Sequence, residues 1–183
     1  ALEWLRQCPY VVCCDGAANT YIRSGRMPEA IVGDGDSLLP DIKERYASLI
    51  HSEAEQETND LSKAFRFCLS QERKRITIMG ATGKREDHTI GNVSLLADYM
   101  EQAEVSMMTD YGIFVPIRED SMFESYIGQQ ISVFNMNSTA LSAEGLAYPL
   151  SVFTNWWQGT LNEALARHFI IRTEGKVLVF RVF

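Results

Sequence analysis

Short apolar runs alternate with longer amphipathic stretches through the first part of the chain. Residues 10–14 form an apolar run ending at Asp15 and predict a buried strand. Residues 19–25 predict a short helix closed by glycine. Residues 30–32 predict the next strand, which ends at Gly33-Asp34-Gly35-Asp36, and residues 40–47 a helix. Thr58 or Asn59 can cap a helix whose apolar residues Leu61, Ala64, Phe65, Cys68 and Leu69 repeat at helical spacing. Residues 75–79 predict a strand leading into the turn Gly80-Ala81-Thr82-Gly83. A helix to about residue 102 follows, with Ile90, Val93, Ala97 and Met100 on one face, and then a strand over 105–108. Strands alternating with helices predict a mostly parallel sheet with helices on both faces, an α/β, Rossmann-like unit.

Beyond about residue 110 the helical period is lost. Residues 112–117, 130–135, 147–153, 168–173 and 177–183 predict strands separated by turns, and hence an antiparallel sandwich or barrel-like domain. The expected division is an α/β domain over 1–108 and this antiparallel β-domain over 109–183.

Charge narrows the function classes. The chain has 24 acidic and 17 basic residues, a formal charge of −7, which disfavours nucleic acid as a partner because phosphate backbones need a basic face. A small anionic ligand stays compatible, since metal ions and a few local cations can screen it. No stretch approaches the roughly 18 apolar residues of a membrane span. The four cysteines lack C-x-x-C spacing. They read as reduced thiols, and the expected location is the cytoplasm.

Three segments carry candidate chemistry in the first part. Asp34 and Asp36 end a strand, and Asp15 ends another. Ligands of open parallel sheets bind outside the carboxyl ends of strands, so these carboxylates are expected in one crevice. Carboxylates brought together repel unless a cation joins them, which points to Mg²⁺. In Gly80-Ala81-Thr82-Gly83-Lys84-Arg85-Glu86-Asp87-His88, free backbone N–H groups beside Lys84 and Arg85 suit a polyphosphate. The spacing is not that of a Walker A loop. Asp87 can hold Arg85, cap a helix or meet substrate, and His88 alone reads more often as a helix-entry hydrogen bonder. Asp60 sits in a first helical turn, where the helix dipole favours a carboxylate without any catalytic role. In the second part, Tyr148, Trp156 and Trp157 have polar neighbours and can sandwich a flat heterocycle, although aromatics in a β-domain are more often core.

Taken in order, these segments resemble the thiamine pyrophosphokinase family, from about Cys14 to the C-terminus. The likeness rests on Asp15-Gly16-Ala17-Ala18-Asn19, Gly33-Asp34-Gly35-Asp36-Ser37, Asn59-Asp60-Leu61-Ser62-Lys63-Ala64, and the segment from Gly80 to His88 with Asn92. Gly145-Leu146-Ala147-Tyr148-Pro149-Leu150 and Gly159-Thr160-Leu161-Asn162-Glu163 complete it. The resemblance implies transfer of diphosphate from ATP to thiamine with release of AMP. It also implies an α/β nucleotide-binding domain over 1–108, a C-terminal β-sandwich over 109–183, and a homodimer with thiamine near the subunit interface.

Mg²⁺ is then expected on Asp15, Asp34, Asp36 and Asp60. Asn19, Gly80, Thr82, Gly83, Lys84, His88 and Asn92 are expected on the nucleotide side. Arg85 and Asp87 match the family's substrate-handling pair. Gln56, Tyr148, Trp156, Trp157 and Asn162 are expected on the thiamine side. The chain departs from many members at Leu161-Asn162, where they have Ser-Asn, and at Tyr148, where they have Trp. The family's first strand, upstream of the opening helix, is expected but missing. The residues leave open whether Asp60, Asp87 or no protein base takes the hydroxyl proton. Two rivals are a phosphatase of the haloacid dehalogenase type, with Asp34 as nucleophile, and a non-catalytic nucleotide sensor. Neither needs all of these segments.

Overall fold

A computed structural model describes residues 2–53, 55 and 57–183. It divides into two compact units, residues 1–74 and 75–183.

The first unit is built on three parallel strands, β1 (Val12–Cys14), β2 (Ala30–Gly33) and β3 (Ile50–Ser52), in the order β1-β2-β3. Central β2 is buried along its whole length, as a strand covered on both faces must be. Its helices are α1 (Leu2–Gln7), α2 (Ala17–Arg23), α3 (Pro40–Arg45) and α4 (Asp60–Ser70). Strand pleating divides the core between them. Cys13 and Ile31 point to one face and pack with Ala18, Leu38 and Ile42 of the α2–α3 side. Ala30 and Val32 point to the other and pack with Ala64 and Phe67 of α4. Asn59 caps α4, its side chain accepting from the Ser62 N–H at 2.9 Å. Thr58, the other expected cap, bonds Glu55 and Arg66 instead.

The second unit begins with β4 (Arg75–Met79), α5 (Glu86–Ser94), α6 (Leu96–Tyr99) and β5 (Glu104–Met108). β4 and β5 are parallel. β5 then pairs antiparallel with β6 (Gly112–Ile117), so both strands join a six-stranded sheet, β10-β8-β12-β6-β5-β4. The remaining members are β8 (Gln130–Asn135), β10 (Asn162–Glu163) and β12 (Val177–Val182). A second antiparallel sheet, β7-β11-β9, comprises β7 (Ser121–Glu124), β9 (Leu141–Glu144) and β11 (His168–Thr173). Ile131, Val133, Val177 and Val179 of the first sheet share one core with Phe123, Leu141, Phe169 and Ile171 of the second. That is the expected sandwich.

Several expectations need correction. The long helix through residue 102 is two helices parted at Leu95, and Ile90, expected on its buried face, is 57% exposed. Residues 147–153 are not a strand. Pro149 has no N–H to donate, and the backbone of Tyr148 is bonded by the Asn162 side chain rather than by a neighbouring strand. β3, β7, β9 and β10 were not expected. Each is short and buries at most one residue, so none carries a readable apolar alternation.

Candidate active site

Asp15 leaves β1 with φ +27, a left-handed turn that swings its side chain under the loop after β2. It is only 3% exposed. The Ser37 N–H donates to its Oδ2 at 3.2 Å, while its Oδ1 is buried and has no hydrogen-bond partner among the described residues. The loop itself is tightly turned. The Asp36 N–H donates to Asp34 Oδ1 at 3.1 Å, and the Ser37 hydroxyl to Asp36 Oδ1 at 2.9 Å. From α2, Asn19 accepts from the Leu39 N–H at 3.0 Å and donates to the Ser37 carbonyl at 2.8 Å. Both ends of that amide hold the loop. From α3, Lys43 Nζ donates to the Gly35 carbonyl at 2.9 Å. Ser37 was read only as the end of the Gly33–Ser37 motif, with no role given, and Lys43 was not singled out; the folded loop shows what both do.

Oxygens of Asp15, Asp34 and Asp36 lie within 4.8 Å of one another. Burial pushes the Asp15 carboxyl up from its ordinary value, the Ser37 N–H opposes this, and the charges of Asp60 and Asp34 add to the rise. Asp36, exposed, is held below the usual carboxylate range chiefly by the Ser37 hydroxyl. A buried carboxylate oxygen without a partner is expensive. Beside two more carboxylates it suits a hard divalent cation such as Mg²⁺, which takes oxygen ligands. Asp60 opens α4 and its Oδ1 lies 3.3 Å from Lys63 Nζ, outside that trio. Gly33 makes the arrangement possible. A Cβ there would stand 2.8 Å from the Asp15 Cβ and 3.4 Å from Asp60 Oδ1, at φ +154.

In the second unit, Gly80 and Gly83 turn the chain after β4 at φ +70 and +87, which glycine adopts without penalty. Asn92 reaches back from α5 and donates to the Ala81 carbonyl at 2.9 Å. Thr82, half-buried, lies within this turn. Arg85 grips Asp87 with two bonds, Nε to Oδ1 at 3.1 Å and a terminal N–H to Oδ2 at 2.6 Å. The His88 N–H also donates to Asp87 Oδ1, at 2.9 Å. Asp87 is thereby held below the usual carboxylate range, first by Arg85. Lys84, Arg85 and His88 are exposed. Lys84 borders a hollow of about 450 Å³ with Gly83, Glu86, Thr89 and Ile90.

A second hollow, about 340 Å³, has Tyr148, Phe153, Thr160, Leu161 and Asn162 in its wall. Tyr148 and Leu161 are 64% and 76% exposed. Leu161, noted in the sequence only as a departure from the family's serine, holds φ +62, unusual for a branched side chain. Asn162 is buried and spends its amide on the backbone. It accepts from the N–H of Tyr148 and of Glu163 and donates to the Tyr148 carbonyl. It positions the Tyr148 loop. Trp156 packs edge-on to Phe134 at 6.0 Å, whereas Trp157 is 73% exposed, and neither is in that wall. Gln56, expected on the thiamine side, lies outside the described residues.

Two family models match the chain. One, described as thiamin pyrophosphokinase, catalytic domain, matches residues 1–108. The chain belongs to the thiamin pyrophosphokinase family. The second, thiamin pyrophosphokinase, substrate-binding domain, matches residues 112–180. Among curated relatives, thiamine pyrophosphokinase 1 of Oryza sativa subsp. japonica is 30% identical over 129 residues, covering 57% of this chain and 49% of that protein. Thiamine pyrophosphokinase of Bacillus subtilis is 34% identical over 86 residues, covering 45% of this chain and 40% of that protein. The matched part thus spans about half the length of these relatives. The fold is shared with the crystal structure of Bacillus subtilis thiamine pyrophosphokinase, at TM-score 0.81 and 21% identity, over 94% of this chain and 87% of that one. It is also shared with the Candida albicans enzyme, at TM-score 0.82 and 20% identity, over 100% of this chain and 84% of that one. Among the described residues no helix is long and apolar enough to cross a membrane.

Proposed function

We propose that this chain is a Mg²⁺-dependent thiamine diphosphokinase. The thiamine hydroxyl oxygen bonds to the β-phosphorus of ATP, the bond from that phosphorus to the α–β bridging oxygen breaks, and AMP leaves with the electron pair. The hydroxyl proton is released. The observation that carries this reading is the Asp15–Asp34–Asp36 trio with its partnerless buried oxygen, in a chain of this family.

Phosphoryl-type transfer depends on alignment and charge neutralisation more than on covalent help. Asp15, Asp34 and Asp36 would hold Mg²⁺, which when bound neutralises diphosphate charge. Ser37, Asn19 and Lys43 keep the loop that presents those carboxylates in one shape. Arg85, aimed by Asp87, meets phosphate charge as it moves to the leaving side. Gly80, Thr82, Gly83, Lys84, His88 and Asn92 belong to the polyphosphate side, where backbone N–H groups and cations suit an anion. Asp60 is held by Lys63, and it and Asp87 both stay open as proton acceptors. Tyr148 and Leu161 offer thiamine an aromatic face and an apolar wall. A thiazolium is a cation, which a tyrosine face attracts by roughly 0.5–2 kcal/mol.

In domain terms, residues 1–108 would carry the catalytic part and 109–183 the thiamine-binding part, a division supported by the catalytic-domain match over 1–108 and the substrate-binding-domain match over 112–180. The enzyme is a cytoplasmic homodimer in this reading, with thiamine near the subunit interface. The test is AMP formation that depends on added thiamine. ATP labelled in its β- and γ-phosphates must pass both labels to the product. Release of ADP or free phosphate as the main product would sink the proposal.

A further inference from the structure

Lys63 is a buried cation that the chemistry above uses only as the partner of Asp60. It lies in the first turns of α4, is 3% exposed, and its Nζ stands 3.3 Å from Asp60 Oδ1. Burying an ammonium is costly unless an anion meets it, and a methionine would fill such a helix–sheet contact without that cost. The anion it meets is not an isolated one. Asp60 Oδ1 lies 3.4 Å from the point where a Cβ on Gly33 would stand, and the Cβ and Cγ of Asp15 lie 2.8 and 3.4 Å from that same point. Asp60 and Asp15 therefore flank one glycine. Asp15 in turn shares the trio with Asp34 and Asp36. Its Oδ1 is buried and has no hydrogen-bond partner among the described residues, which suits a cation. Four carboxylates thus stand in succession, with a fixed ammonium at the Asp60 end.

We infer that Lys63 is a positioning residue, a built-in counter-cation that holds Asp60 and offsets the mutual repulsion of the carboxylates while no divalent cation is bound. The inference rests on the reading of the trio as a cation site. A bound divalent cation supplies compensating charge of its own, so Lys63 matters most to the metal-free protein. A lysine that only packs would stabilise the metal-free and metal-loaded forms alike.

Thermal unfolding of the full chain, without nucleotide, tests this. Midpoints are measured in EDTA and in excess Mg²⁺ for wild type, Lys63→Met, Lys63→Gln and the double variant Asp60→Asn/Lys63→Met. Lys63→Met should lower the EDTA midpoint and regain most of the loss in Mg²⁺. Its Mg²⁺-induced rise should then exceed that of wild type roughly twofold, as expected when a ligand binds the native state more tightly. The double variant, relieved of one repelling charge, should recover part of the EDTA midpoint. Equal losses with and without Mg²⁺ overturn the role of Lys63 alone. So does failure of both single variants to fold in Mg²⁺, because Lys63 would then be needed for the fold itself. Absence of any Mg²⁺-induced rise in wild type overturns both the inference and the cation-site reading beneath it.

Discussion

Replacing Asp15 by asparagine should make the metal-free protein more stable while removing its response to Mg²⁺. Asp15 is 3% exposed, and one of its two oxygens has no hydrogen-bond partner among the described residues. An asparagine can keep the bond that matters to the loop, its carbonyl oxygen accepting from the Ser37 N–H as Asp15 Oδ2 does at 3.2 Å. Its amide nitrogen then replaces the partnerless oxygen and can donate toward Asp36, whose carboxylate lies in the same cluster. Leaving a buried acceptor unsatisfied costs roughly 1–3 kcal/mol. The backbone at φ +27 is one that asparagine tolerates well.

The expected gain in EDTA is about 1–2 kcal/mol, or about 2–8 °C in the unfolding midpoint for a chain of this size. The gain should depend on pH. Burial raises the folded-state pKa of Asp15 above its ordinary value. Its protonated form is therefore favoured by folding, and that contribution is complete below the ordinary carboxylate value. It is lost as pH rises through the raised folded value, so the advantage of asparagine should widen toward neutrality and shrink on acidification. The assay is a set of thermal scans of wild type and Asp15→Asn in EDTA and in Mg²⁺, from mildly acidic to neutral pH. A lower EDTA midpoint at neutral pH for the variant, or a Mg²⁺ response equal to that of wild type, would refute the reasoning.

Gly33→Ala should destabilise by about 2 kcal/mol or more and reduce turnover further, because its Cβ would meet the Asp15 Cβ at 2.8 Å; a near-wild-type denaturation midpoint contradicts this. Arg85→Ala should lower turnover far more than it weakens thiamine binding. Asp87→Asn should add little on top of it, since the two groups are joined by two hydrogen bonds; fully additive losses in a double-mutant cycle would separate their roles. Asn162→Ala strips partners from the N–H of Tyr148 and Glu163 and from the Tyr148 carbonyl. It should cost about 2–4 kcal/mol and raise the thiamine KM with little change for ATP. An unchanged thiamine KM would detach the Tyr148 loop from thiamine binding.

Much of the first unit was legible because its signals are local. A fully apolar strand such as 30–32 can only be buried on both faces, and the carboxylates of Asp15 and Asp34 follow directly from where β1 and β2 end. The helical spacing of Ala64 and Phe65 likewise marks α4 without reference to the rest of the chain, whereas the choice of Asn59 over Thr58 as its cap is made only in the fold. The short edge strands were not legible. Ser121–Glu124 and Leu141–Glu144 each bury a single residue, and they are strands only because β11 pairs with both. The membership of β4 and β5 was hidden for the same reason. Their sequences read as parallel strands, but the antiparallel partner of β5 is chosen by pairing with β6.

At the site, the residue types that carry charge could be named from the chain itself, because aspartates at strand ends and cations after a glycine turn, ordinary one by one, occur together and in order. Which of their atoms are already spent could not. Asn19 and Asn162, both expected to touch ligand, are shown by the fold to hold loops. Lys63 turns inward to Asp60, and Asp15 keeps a buried oxygen with no hydrogen-bond partner among the described residues. A sequence specifies which groups exist and, through its period, which face of a strand or helix they take. Hydrogen bonds between side chains and distant backbone depend on where separate elements come to rest, and that is decided only when the chain packs.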